Sequence, residues 1–187
     1  MESLDEILLD TEEKMDNTVK VMREHYAGLR TGKASPAMID GVQVTYYGVP
    51  TRLRDIAGIT APEPRLLVIN AYDPSALPDI MKAIMAANLG VTPLSDGRVI
   101  RVPVPELSEE RRKEIAKVAR RQAEEARVSI RNVRRDANDA IKVLQKDGKI
   151  TEDERDRGLA DVQKSTDNYV AKVDTELKNK ETEIMAV

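Results

Sequence analysis

The densest chemistry in this chain is a run of arginines. Residues 126–135 read Ala-Arg-Val-Ser-Ile-Arg-Asn-Val-Arg-Arg, which places Arg127, Arg131, Arg134 and Arg135 around Asn132 with no acid among them. The guanidinium is a planar fork that grips phosphate through two parallel hydrogen bonds, which an ammonium cannot do. The wider window 111–135 holds ten basic groups against Glu114, Glu124 and Glu125, a balance of +7. At ~100° per residue, Lys113, Lys117, Arg120, Arg127, Arg131, Arg134 and Arg135 share one helical sector, away from the apolar stripe and expected to face solvent. A solvated face laced with i,i+4 ion pairs is the competing reading of such a pattern. Arginines without nearby acids repel one another, and a polyanion relieves that cost, so the run points to nucleic acid.

Other chemistry is scarce. The chain has no cysteine and one histidine, so disulfides, thiol nucleophiles, Cys-ligated metals and His-based triads are excluded or disfavoured. Gly28-Leu-Arg-Thr-Gly-Lys33 is one residue short of a phosphate loop, follows a helical pattern instead of a strand, and continues with Ala34 where a Ser or Thr would hold Mg²⁺. His25 reads as a packed or partly exposed helix residue. The acids sit in helical surface patterns without EF-hand spacing. No enzyme activity and no cofactor are expected.

The elements that must carry the arginines come next. Ser3-Leu-Asp-Glu6 has capping-box spacing, and Leu4, Leu8, Thr11, Met15, Val19, Met22, Tyr26 and Leu29 recur at three- and four-residue steps. That predicts an amphipathic helix to about Arg30. Between Thr31 and Pro105 prolines and glycines concentrate. Strands are predicted at Val42–Tyr47, Leu66–Tyr72 and Arg98–Val102, with a helix over Ser75–Asn88 that tolerates Pro78 only in its first turns. Glu106–Asp147 then contains neither Gly nor Pro. Its apolar face, Ile115, Ala119, Ala123, Ala126, Ile130, Val133, Ala137, Ile141 and Leu144, predicts a helix about 60 Å long. Gly148 ends it. Thr151-Glu-Asp-Glu154 opens a third helix with the face Leu159, Val162, Thr166, Tyr169/Val170, Val173, Leu177 and Ile184.

Such helices cannot bury their stripes alone, so the expected fold is α+β with two domains. An elongated three-helix bundle comprises residues 1–30 plus 106–187, and a small β/α/β domain, 31–105, is inserted into it. Two strands of chain join them, Arg30-Thr31-Gly32-Lys33 going out and Pro103-Val104-Pro105 returning, which is where a hinge is expected.

The overall charge of −3 hides segregation: residues 1–29 sum to −5 (three basic, eight acidic) and 151–187 to −4 (six basic, ten acidic). Aromatics are 3% of the chain, with no Trp or Phe, so base-stacking platforms are not expected and recognition of folded RNA by shape and backbone is. The acidic amino terminus is unlike a signal or transit peptide, and no apolar run approaches the ~20 residues of a membrane helix. A soluble, cytoplasmic protein is expected.

Several stretches carry a resemblance. Leu29-Arg-Thr-Gly-Lys-Ala-Ser-Pro36, Tyr46-Tyr-Gly48, Lys82-Ala-Ile84, Ile100-Arg-Val-Pro103, Glu109-Glu-Arg-Arg-Lys113, Val133-Arg-Arg-Asp-Ala-Asn-Asp139 and Asp161-Val-Gln-Lys164 resemble, in order, the ribosome recycling factor family. The resemblance implies an L-shaped molecule with a bundle of transfer-RNA-like dimensions and a swinging smaller domain. It implies binding to large-subunit ribosomal RNA across the aminoacyl and peptidyl sites of the post-termination ribosome. Elongation factor G, hydrolysing GTP, would then split the subunits. RNA-contacting positions carry over to Arg30, Gly32, Arg131, Asn132, Arg134 and Arg135; Lys33 stands where many members have Arg. A monomer is expected. The rival readings are a helical adaptor or chaperone, whose partner binding would be insensitive to salt, and a nucleotide-dependent enzyme.

Overall fold

The structure is a computed structural model and describes residues 3–186. Helix α1 (Leu4–Ala27) is capped by Ser3, whose hydroxyl accepts from the Glu6 amide at 3.2 Å. Helix α4 (Glu109–Lys146) begins where Ser108 Oγ accepts from the Arg111 amide. It ends in a Schellman turn: Gly148 adopts φ 70°, Lys149 N–H bonds to the Leu144 carbonyl and Gly148 N–H to that of Gln145. Helix α5 (Glu152–Met185) starts on a complete capping box between Thr151 and Glu154.

The direction of packing follows from the cross-helix bonds. Tyr26 Oη donates to the Ala119 carbonyl at 2.7 Å, and Thr18 meets Ser129, so α1 and α4 run antiparallel. Arg23 pairs with Glu176 and Ser165 Oγ with Glu12, so α1 and α5 run parallel. Ile7, Ala137, Ile141, Leu144 and Val162 close one end of the bundle. The expected apolar faces are largely the buried ones; Ile7, Ala116 and Gly158 join them, whereas Leu4, Leu8, Val133, Leu159 and Leu177 are half-buried. Thr11 and Thr166, buried in the stripe, donate to the carbonyls four residues earlier and leave no hydroxyl orphaned.

The second unit holds six strands, not the three that alternation suggests. β1 (Gln43–Tyr46) and β2 (Val49–Arg52) form a hairpin whose turn, Tyr47 (φ 48°) and Gly48 (φ 77°), has the doubly positive φ of a type I′ connection. Its tip is tied down by Asp73, whose one oxygen accepts from the Tyr46 and Tyr47 hydroxyls and the other from Ser75. The Ser75 hydroxyl and amide, then the two phenols, hold the Asp73 carboxyl down at about 2. A four-residue turn of helix, α2 (Leu53–Ile56), leads to β3 (Ala57–Glu63). An antiparallel sheet follows in the order β3–β4–β6–β5, with β4 (Leu66–Ala71), β5 (Leu94–Ser95) and β6 (Ile100–Pro103). β3 escapes the sequence pattern because it is an edge strand: Gly58 and Pro62 are tolerated there, and the register shifts between Thr60 and Glu63. Leu67, Ile69, Ile100 and Val102 turn one face of the sheet onto Leu77, Ile80 and Ile84 of α3 (Leu77–Ala86).

The chain divides into two compact units between Leu29 and Arg30 and between Arg112 and Lys113. The returning division lies beyond the 105/106 boundary expected from the prolines, because the chain past Pro105 still contacts the second unit: Glu106 pairs with Arg65, and Leu107 lies beside Gly32.

Two substitutions probe the bundle. Gly158 sits where a Cβ would come within 2.7 Å of Leu4 Cδ1 and 3.4 Å of Ile141 Cδ1, so Gly158→Leu is expected to cost about 1–3 kcal/mol, read as a lowered melting temperature. Burial raises the Tyr26 phenol from 10.0 to about 12. The stability this contributes is present below pH 10 and lost as pH rises through the folded value, about 2–3 kcal/mol in all. Denaturant unfolding between pH 9 and 11.5 should therefore show a smaller alkaline loss in Tyr26→Phe than in wild type.

Candidate nucleic-acid interface

Every basic position expected on the second helix lies on α4, but the structure divides them into two groups. Along the contact with α5, Arg120 meets Glu181 at 2.5 Å, and Arg127 meets Asp174 at 2.6 Å while also holding Glu124 at 3.0 Å. The Arg127 side chain keeps only 20% of its exposure. Partial burial disfavours its charge, yet the hydrogen bonds to Asp174 and Glu124 outweigh that, and its pKa is raised. The expectation that the whole basic sector faces solvent is corrected here. Arg127 and Arg134 are half-buried because α5, an acidic helix distant in sequence, packs against their side of α4.

The other group surrounds an open hollow of about 460 Å³ lined by Val128, Arg131, Asn132, Arg134, Arg135, Asn138, Asp139, Lys142 and Gln163. Arg131 lies 3.4 Å from Glu124, and Arg135 donates to Asn132 Oδ1 at 3.1 Å, which orients the amide beside the guanidinium. Arg134 donates to Gln163 Oε1 at 3.4 Å. Four cations, three amides and one carboxylate therefore converge on one patch, where hydrogen-bond donors predominate. Such a patch suits phosphate and ribose oxygens. Among the described residues, no group of three or more His, Asp or Glu could hold a metal ion, and no helix is long and apolar enough to cross a membrane.

Lys113 and Lys117 are exposed at the amino-terminal end of the same helix. Arg30 belongs to the other unit, where its guanidinium lies against Gly90: a Cβ there would be 3.2 Å from Nη1. In the same unit Thr31 is buried, Gly32 takes φ 82° beside Leu107, Lys33 is exposed, and Pro103 ends β6 with Pro105 exposed beyond it. Sequence reasoning missed Asn138, Lys142 and Gln163. Lys142 lies seven residues beyond Arg135, so the helical sector simply extended further than the arginine run. Gln163 comes from a different helix, and its one signal in the sequence is its place in the stretch Asp161-Val-Gln-Lys164 that carries the family resemblance.

The two groups predict different costs. Arg127→Ala should lower unfolding stability by about 1 kcal/mol through lost packing and pairing, while Arg135→Ala should stay within about 0.5 kcal/mol of wild type in the same denaturant titration.

Comparison with known proteins agrees along the full length. A family profile described as ribosome recycling factor matches residues 22–185. Ribosome-recycling factors of Bacillus pumilus and Bacillus subtilis are 53% and 52% identical over 182 residues, covering 97% of this chain and 98% of each relative. The solution structure of a ribosome recycling factor superposes with a TM-score of 0.81 at 39% identity, covering all of both chains. A second structure, at TM-score 0.68 and 42% identity over 98% of this chain, is of the T. thermophilus ribosome recycling factor and the E. coli elongation factor G bound to the E. coli post-termination complex. With the resemblance of its motifs extended to a match across nearly its whole length, this chain belongs to the ribosome recycling factor family.

Proposed function

We infer that this chain is a ribosome recycling factor that binds the post-termination ribosome and, with elongation factor G and GTP, splits the subunits and frees them from messenger RNA. The observation that carries this is identity of about half over nearly the whole chain to curated ribosome-recycling factors, joined by the structural match to a relative bound with elongation factor G. The chain is a ligand and not an enzyme; GTP hydrolysis belongs to its partner. It works in the cytoplasm, where the ribosomes are.

In this reading the α4 edge docks on large-subunit ribosomal RNA at the aminoacyl and peptidyl sites. Arg131, Asn132, Arg134 and Arg135 take phosphate and ribose, extended by Lys113 and Lys117 along the helix, and Arg30 makes a separate RNA contact from the other unit. Arg120 and Arg127 support the edge from within the bundle. The donor-rich hollow supports this assignment, and its open shape suits a backbone better than a small ligand. The second unit, joined by only two chain crossings, would swing on the segments Arg30–Lys33 and Pro103–Pro105 when elongation factor G engages it.

Co-sedimentation with purified bacterial large ribosomal subunits over a salt series tests the interface. Affinity should fall linearly on a log–log plot, and Arg135→Ala should make the slope shallower by about one. Salt-insensitive binding would instead favour a protein-docking adaptor. Spin labels on α1 and α3 should report a broad distance distribution in the free protein, and one narrow distance would remove the swing.

A further inference from the structure

The contact between α4 and α5 is a charge ladder with one step left open. Arginines at 120, 127 and 134 recur every seven residues, so they return to nearly the same side of α4. On α5, running the other way, residues 181, 174 and 167 are all acidic and also seven apart. The first two steps are closed: Arg120 with Glu181 and Arg127 with Asp174. The same register sets Arg134 opposite Asp167, yet that pair is not made. Gln163, one turn from Asp167 on α5, stands between them. Its Nε2 donates to Asp167 Oδ1 at 2.8 Å, and its Oε1 accepts from Arg134 Nη1 at 3.4 Å. The carboxylate is engaged by a neutral amide, and the guanidinium meets only a carbonyl oxygen.

We propose that Gln163 is a positioning residue that insulates Arg134 from Asp167 and so keeps the Arg134 charge available to RNA phosphate in the α4 hollow. This rests on the reading of the α4 edge as the RNA interface. Arg134 is half-buried against α5, so an ion pair formed there would compete directly with docking. Arg127 shows the alternative at the preceding step, where the carboxylate is reached and the charge is spent inside the bundle. Because an amide holds both neighbours by hydrogen bonds, it fixes the Arg134 side chain without neutralising it.

The test uses the full chain and purified bacterial large ribosomal subunits, with co-sedimentation over a potassium chloride series. In Gln163→Ala, Arg134 closes on Asp167. An exposed pair of that kind corresponds to about a 2- to 5-fold loss of affinity, with a shallower salt dependence. In the double variant Gln163→Ala/Asp167→Ala the competing carboxylate is gone, and affinity should return to within about 2-fold of wild type. Thermal melting separates this from a structural role: Gln163→Ala should melt at or slightly above wild type, since it gains an ion pair. Wild-type affinity in Gln163→Ala, or failure of the double variant to recover, overturns the proposal; the second result would mean that Gln163 itself touches RNA. Arg134→Ala is the control for the underlying reading and should lose about 10-fold or more. If it binds as wild type, the interface reading fails at this position. If it weakens while Gln163→Ala does not, only the insulation fails.

Discussion

The helical unit depends on one constraint: α4, 38 residues long, must bury a single continuous stripe against two other helices at once. Its central buried positions, Ala119, Ala123 and Ala126, are small, and Ile115, Ile130 and Ile141 supply the bulk on either side. The small side chains leave room over the stripe for groups that reach in from the neighbouring helices, and the lost area is recovered by length. The closest backbone approach in the bundle is between α1 and α5. Tyr26 spans the wider gap to α4 with its phenol on the Ala119 carbonyl, and at Gly158 of α5 an added methyl group would meet Leu4 of α1. A bulkier stripe would keep the same topology and push apart the surfaces on which charge is arranged.

That arrangement explains why an arginine-rich helix can sit beside an acidic one without the two cancelling. The α5 acids that neutralise α4 lie beside Arg120 and Arg127, where the guanidinium groups flank the packed seam. Past Arg127 the hollow opens, and the α5 residue that meets α4 there is Gln163. Cross-helix attraction is thus concentrated at one end of the seam, holding the helices together, and an excess of positive charge is concentrated at the other. A long-range field built this way speeds and orients approach to a polyanion more than it adds to stability. The acidic faces of α1 and α5 limit such approach to one edge.

The helices were legible in the sequence because nothing competes with a 3.6-residue period sustained over ten turns; their caps at Ser3 and Thr151 and the stop at Gly148 could be named in advance. The small unit was legible only in part. β4 and β6 are buried centrally and show it, whereas β3 carries Gly58 and Pro62 at a sheet edge, where local propensity is overruled by a neighbour's hydrogen bonds. The arginine site divided in the same way. Its α4 members follow from spacing, and the sector could have been extended to Lys142. The sorting of those arginines into paired and open ones could not be read locally, since it depends on which α5 residue the antiparallel register brings opposite each. Asp174 and Gln163 lie 47 and 29 residues from their partners.

The scarcity of aromatics limits the modes of recognition open to the proposed interface on the bundle. Its two tyrosines are committed elsewhere: Tyr26 is 4% exposed and hydrogen-bonded inside, and Tyr169 is half-buried with Lys172 stacked 4.3 Å over its ring. Neither offers a free face to a base. The α4 hollow contributes guanidinium, ammonium and amide groups with one apolar residue, Val128, among them. Direct reading of base identity calls for an unstacked base held by an aromatic plane, or for side chains inserted along its edge; a shallow donor-rich surface on a stiff helix supplies neither. What it supplies is a run of positive charge fixed along a stiff helix. On the proposed reading of this edge as an RNA interface, selectivity would come from the shape of the RNA and from how far the helix reaches, so the stiffness of the helix would itself be part of the recognition.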